Sequence, residues 1–275
     1  MNRLVGIPES MLIPLAARSM ENNNLKPIIT DEISKKIFNS VNYPLENISH
    51  SSTTQTGICI RTFILDNIVK SFITQSINPL IINIGCGLDT RYKRLHLDMR
   101  KISWIDIDVP EAIEIRKHFF DETDDYKMIA KSMLDFEWIS MVQKETLYDE
   151  SQEILVIFEG VLMYFDATVI KELLERISRS FNINQLSFAI EFCSKTISNN
   201  TQRHKSVSKL RSKPKFKYGY NNLSELNSML PRELNITNEF NYFDYFHKRW
   251  GLFGLCRLIP FFKKRLNNKI VIIKN

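Results

Sequence analysis

The sequence predicts an α/β chain on a doubly wound parallel sheet. From Pro79 onward, short β-rich runs ("LIINI", "KISWIDI", "YKMIA", "EILVIF", "QLSFAIEF") alternate with segments of helical pattern such as "PEAIEIRKHFF" and "ATVIKELLERISRSF". Several runs are apolar nearly throughout, as strands are when helices cover both faces of a parallel sheet. The length of 275 residues, 44% of them hydrophobic, is enough for one large domain with a generous core. Strand and helix in alternation then imply right-handed crossovers.

The first seventy or so residues read as a helical layer. "ESMLIPLAARSM" is followed by "TDEISKKIFNSV", with Thr30 or Asp31 as its cap, and then by "SSTTQTGICIRTFILDNIVKSFI", whose Ile60, Ile64, Ile68 and Phe72 recur at helical spacing. After about residue 195 the alternation stops. A polar, basic tract, "SKTISNNTQRHKSVSKLRSKPKFKYGY", precedes a helical "NNLSELNSML" and two final strands, "ELNITNEF" and "NKIVIIKN", which would extend the sheet at one edge. Between those strands lies the aromatic "YFDYFHKRWGLFGLCRLIPFFKKRL", read as packing on the sheet or lining an acceptor pocket. The expected organisation is a single domain: a helical cap over 1–75, a core over 76–195, an insertion or lid over 196–230, and final strands with the aromatic segment over 231–275.

Composition narrows the function classes. Lys and Arg number 37 against 31 Asp and Glu, for a formal charge of +6, but the basic residues are spread along the chain. No nucleic-acid partner is therefore expected. Cys59, Cys86, Cys193 and Cys256 lie far apart, without zinc-ligand spacing, and read as buried fillers or free thiols in a reducing compartment. No metal is expected. Pro8, Glu9 and Pro14 break the first apolar stretch before it reaches signal-peptide length, and no window approaches the ~18 uncharged apolar residues of a membrane span. These features predict a cytoplasmic protein without membrane insertion.

The chemistry begins at "PLIINIGCGLDTRYKRL". In an open α/β sheet, ligands sit outside the carboxyl ends of the strands where strand order reverses, and Gly85-Cys86-Gly87 occupies the turn after the first strand. Glycine lets backbone approach a ligand and adopt positive φ. A dinucleotide site prefers a third glycine, where this chain has Thr90, and Asp89 would set a negative charge beside the pyrophosphate, so NAD is disfavoured. The Gly-x-x-x-x-Gly-Lys-Ser/Thr pattern of a P-loop is also missing. S-adenosylmethionine fits better, because it carries a sulfonium and an amino acid in place of phosphates. About twenty residues on, the usual ribose-binding distance, "SWIDIDVPE" offers Asp106 or Asp108 as the acceptor for ribose hydroxyls. Asp108 is nearer the strand's end and precedes Pro110, a good helix opener. Glu159 emerges from the apolar "EILVIF" beside Gly160, where it would complement a sulfonium or ammonium. Arg61, inside an otherwise apolar helix, could fork onto a carboxylate.

Together "IINIGCGLDTRYKRL", "WIDIDVPEAIEIRK" and "VIFEGVLMYF", with "DEISKKI" and "QTGICIRTFILD" upstream, resemble the leucine carboxyl methyltransferase and polyketide O-methyltransferase family over most of residues 7 to 195. The resemblance implies a class I S-adenosylmethionine-dependent methyltransferase fold: a Rossmann-like, seven-stranded sheet with the last strand antiparallel, an N-terminal helical cap and a late insertion. It further implies that Gly85, Cys86 and Gly87 line the cofactor, Asp108 holds its ribose, Arg61 its methionine carboxylate and Glu159 the methionine end. Ser132, Met133 and Leu134 of "KSMLDFEW" stand where the family has an Asp-Leu pair beside adenine. Where the leucine carboxyl branch has an N-terminal lysine on the cofactor, "MLIPLAAR" is mainly apolar, so the bacterial small-molecule branch is the nearer one.

The expected activity is methyl transfer to a carboxylate or hydroxyl of a small, polyketide-like molecule, the alternatives being carboxyl methylation of a protein C-terminus or cofactor binding without transfer. An ionised carboxylate needs no general base and a phenol or alcohol does, and no His accompanies the three cofactor motifs. Tyr164 is a candidate to face the acceptor. No catalytic residue is assigned.

Overall fold

Alternate residues of β1 (Pro79–Ile84) serve opposite sides of the sheet, Ile81 packing into one apolar layer and Leu80, Ile82 and Ile84 into the other. Burial on both faces explains why this run is almost purely aliphatic. The computed structural model describes residues 9–41, 51–97, 102–201 and 215–275. Most of the basic 201–217 tract thus lies outside the described residues, as do His50 and His204.

Seven strands form one sheet: β1, β2 (Ser103–Asp108), β3 (Tyr126–Ala130), β4 (Glu153–Phe158), β5 (Leu186–Cys193), β6 (Asn235–Asn241) and β7 (Asn268–Lys274), in the order β3-β2-β1-β4-β5-β7-β6. The first five pair in parallel, and β7 runs antiparallel to both β5 and β6. Sequence order reverses between β1 and β4. The ligand crevice of an open α/β sheet opens at that reversal, above the carboxyl ends of these two strands.

One face is covered by α1 (Glu9–Glu21), α2 (Glu32–Ser40), α3 (Ser52–Gln75) and α5 (Pro110–Arg116). The other carries α6 (Glu137–Lys144), α7 (Ala167–Ser180) and α9 (Leu223–Met229). Local chemistry sets the ends. Asp31 caps α2 by accepting the Ser34 N–H at 2.9 Å, and Pro110 opens α5. In α7, Ile170, Leu173, Leu174 and Ile177 are buried at helical spacing, which docks one stripe of the helix on the sheet. Two short helices complete the set with α4 (Arg91–Arg94): α8 (Lys195–Asn199) and α10 (Pro260–Arg265).

The aromatic segment meets expectation in part: Tyr242, Phe243 and Trp250 are buried in the core, and with Phe253 and Leu266 they line a cavity. The segment's stretch His247–Leu258 is a run of 3-10 turns leading to α10. Trp250 is buried, but most of the large apolar side chains that follow it are exposed. Beyond those residues the segment turns its apolar side chains outward, where hydrophobicity alone overstated the packing.

Leu173→Ala should lower unfolding free energy by about 2–5 kcal/mol, measured by urea denaturation, because the side chain is fully buried beneath α7.

Candidate active site

The turn after β1 is shaped by backbone need. Gly85 and Gly87 both have positive φ, and a Cβ at Gly85 would collide with Val161 Cγ2 in the turn after β4. Backbone bonds hold the loop from both sides. Asp108 accepts the Gly87 N–H at 2.8 Å through one oxygen and the Val109 N–H at 2.8 Å through the other. Arg116, wholly buried, donates to the carbonyls of Gly87 at 3.0 Å and Asp89 at 2.7 Å.

Asp106 and Asp108 differ in depth, and depth separates their roles. Asp106 lies two residues inside β2, fully buried, where it pairs with Arg116 and accepts from Asn83, Trp104 and Tyr126. It fixes the brace behind the loop. Asp108 stands at the strand tip and faces the cavity. Burial raises its pKa above the usual aspartate range, although the two backbone N–H donors oppose that shift.

A cavity of about 710 Å³ opens at the β1/β4 reversal. Of the residues singled out from sequence, Arg61, Gly85, Cys86, Gly87, Asp108, Ser132, Met133 and Glu159 line it. Leu134 lies outside the lining and is 39% exposed. Cys86 is buried, and its thiol is pushed well above the ordinary value by burial and by Asp106. The four cysteines are free.

Charged side chains beneath the cavity form a continuous chain. Arg61 donates to Glu159 at 2.8 Å and to Glu191 at 3.0 Å, and Glu191 also accepts from Tyr242 at 2.8 Å. Arg91, fully buried, donates to Glu159 at 2.7 Å and Asp66 at 2.9 Å and pairs with Asp89. Arg94 continues the chain to Asp66 and Asp31, and Asp31 pairs with Arg18 at 3.0 Å. Burial alone would raise the Glu159 pKa, but the guanidiniums of Arg61 and Arg91 outweigh it and hold the carboxyl below its usual range. Asp89 moves the other way, because its burial outweighs Arg91.

Sequence reasoning did not single out Arg18, Glu191 or Tyr242, all of which line the cavity. Arg18 ends the otherwise apolar "MLIPLAAR", and its isolation there was the available signal. Glu191 lies inside the buried β5, where a carboxylate needs a partner from elsewhere in the fold.

This donor set fits S-adenosylmethionine. Four carboxylates (Asp89, Asp108, Glu159, Glu191) line the cavity against two guanidiniums, Arg18 and Arg61. The pairs behind the wall, Asp31 and Asp66 with Arg91 and Arg94, balance one another. An acidic excess therefore remains to meet a cationic ligand.

Arg91→Met should destabilise the protein by about 3–5 kcal/mol in chemical denaturation, since three carboxylates lose a buried partner. The loss should shrink when Asp66→Asn is added.

Residues 11–178, more than half of the chain, match the family model for leucine carboxyl methyltransferase. Over 186 residues the chain is 27% identical to the tetracenomycin polyketide synthesis O-methyltransferase TcmP of Streptomyces glaucescens, covering 68% of this chain and 66% of the relative. Over 201 residues it is 25% identical to the S-adenosyl-L-methionine-dependent methyltransferase dpfgK of Gibberella zeae, covering 69% and 66%. The matched stretch thus spans just under two thirds of each relative's length. Among solved structures, a candidate methyltransferase from Thermobifida fusca YX superposes with a TM-score of 0.61 at 11% identity, covering 96% of this chain and 94% of that one. A DUF574 family protein from Streptomyces avermitilis gives 0.61 at 8% identity, covering 94% and 97%. Likeness at such low identity speaks to the fold, while the family match speaks to descent. The chain belongs to the leucine carboxyl methyltransferase family, whose members use S-adenosylmethionine, and folds as a class I methyltransferase.

Proposed function

We propose that the protein transfers a methyl group from S-adenosylmethionine to an oxygen of a small molecule, and that this oxygen belongs to a carboxylate. The observation that carries the reading is the cavity wall: among the described residues that line it there is neither His nor Lys. Glu159 and Glu191 are both ion-paired with Arg61. The phenol of Tyr164 is pushed up to about 12 by burial, and burial likewise pushes that of Tyr242 well above its ordinary value. None of these groups is a ready base at neutral pH. A carboxylate acceptor arrives ionised and requires none.

When bound, S-adenosylmethionine supplies a methyl carbon already activated by its sulfonium. What remains for the chain is to bind, align and exclude water. In this proposal Asp108 takes the ribose hydroxyls on the lone pairs that Gly87 and Val109 leave open, with Gly85, Cys86 and Gly87 against the ligand. Ser132 and Met133 flank the adenine, and Leu134 borders that end from outside the wall. Arg61 and Arg18 present guanidinium to the methionine carboxylate, and Glu159 and Glu191 keep Arg61 in place. Aromatic side chains contribute much of the remaining wall, with Tyr164 edge-on to Phe216 at 5.2 Å and with Phe243, Trp250 and Phe253. Such walls suit a flat apolar body, as does the polyketide pathway named for the Streptomyces relative. Of the described residues in 196–230, Ile197 and Phe216 reach the cavity wall, while α9 packs on the sheet.

Calorimetry should show binding of S-adenosylmethionine and not of NAD, with Asp108→Ala weakening it at least about 10-fold. Because burial raises the Asp108 pKa, affinity should fall on acidification at a pH above the ordinary aspartate range, and Asp108→Asn should bind weakly with a flatter profile. Radiolabelled methyl transfer to a panel of aromatic acids and phenols tests the acceptor. Label released as methanol by alkali marks a carboxyl ester; alkali-stable label on phenols would assign the hydroxyl instead, and label on protein C-termini would move the activity to the other branch.

A further inference from the structure

Most of the apolar surface over residues 246–266 lies outside the cavity wall. Nine of the fourteen large exposed hydrophobic side chains among the described residues fall in this stretch. Leu252 is 85% exposed, Leu258 63%, Leu255 58% and Phe261 56%. A concentration of this kind on a folded surface marks an interaction site.

The segment is held firmly while its apolar side chains face outward. Trp250 is buried edge-on against Phe243 at 5.1 Å, and Arg249 donates to both oxygens of Glu21 in α1 at 2.8 and 2.9 Å. Gly254 is buried where a Cβ would collide with the His247 carbonyl, so the turn is specified by sequence. α10 packs against the same turns and carries Phe261 and Phe262 beside Lys263, Lys264 and Arg265.

Charge identifies the occupant. From residue 245 to 275 there is no Asp or Glu, while Lys248, Arg257, Lys264 and Arg265 are exposed on the same segment. A second copy apposed here would bring two basic faces together, at a cost. An anionic lipid surface takes up the apolar side chains and neutralises the basic ones. Among the described residues no helix is long and apolar enough to cross a membrane, so the contact is one of docking.

We propose that the face formed by His247–Leu258 and α10 docks on anionic lipid bilayers. Phe253 and Leu266 belong both to this face and to the cavity wall, so the cavity mouth would lie at the lipid surface.

The test is cosedimentation of the purified chain with vesicles of equimolar phosphatidylcholine and phosphatidylserine, and with phosphatidylcholine alone, at low and high salt. Binding is expected to the mixed vesicles and to weaken in salt. Leu252→Ser with Leu255→Ser, and separately Arg257→Glu with Lys264→Glu, should each lower it at least about 10-fold. All four side chains are exposed and outside the cavity wall, so the unfolding midpoint should hold. Failure of the parent chain to bind at low salt would overturn the proposal. So would equal binding to neutral vesicles, unchanged binding by both variants, or a dimer in sedimentation equilibrium that Leu252→Ser with Leu255→Ser dissociates.

Discussion

Buried charge is the constraint around which the upper half of this molecule is arranged. Arg91 has no access to solvent and meets carboxylates from α3, from its own loop and from the tip of β4. An ion so placed is tolerable only if its partners are fixed, so the cap helices, the β1 loop and the β4 turn are held in one mutual arrangement. The cavity at the β1/β4 reversal lies directly over that arrangement. Glu159 is available there as an ionised group because two guanidiniums keep it so, and Arg61 is oriented because two carboxylates grip it.

A second, smaller brace stands on the other side of the loop. Asp106 pairs with Arg116 behind the loop, and Arg116 also donates to the Tyr126 hydroxyl and to two loop carbonyls. Those carbonyls are drawn backward, while the Gly87 amide is taken by Asp108. The loop is thus held by the protein's own groups, and a loop so held needs less ordering to bind a ligand.

The strands were readable in the sequence to within a residue or two, because burial on both faces leaves an aliphatic run with sharp ends, as in "PLIINI" and "EILVIF". The loop and the tip acids were readable for the same reason: Gly85, Asp108 and Glu159 are placed by where a strand stops. Residues whose placement depends on tertiary partners were not. Glu191 sits mid-strand with no local sign that Arg61, 130 residues earlier, would meet it, and Tyr242 comes from beyond β6. Asp106 and Asp108 share a face of β2, so alternation cannot tell them apart; only their height in the sheet does. The aromatic segment was legible only in part: Tyr242, Phe243 and Trp250 pack inward and line the cavity, while the fold turns much of the rest outward.

Cys86 stands between the two loop glycines and lines the cavity. Sulfur is a soft nucleophile that would compete with any oxygen acceptor were it ionised. Its enclosure among carboxylates and apolar side chains keeps the proton on, and the nearby phenols are quieted in the same way. A catalyst carrying an electrophile must avoid becoming its own victim. On the proposed reading, the burial that tightens the site would also spare it from alkylating itself.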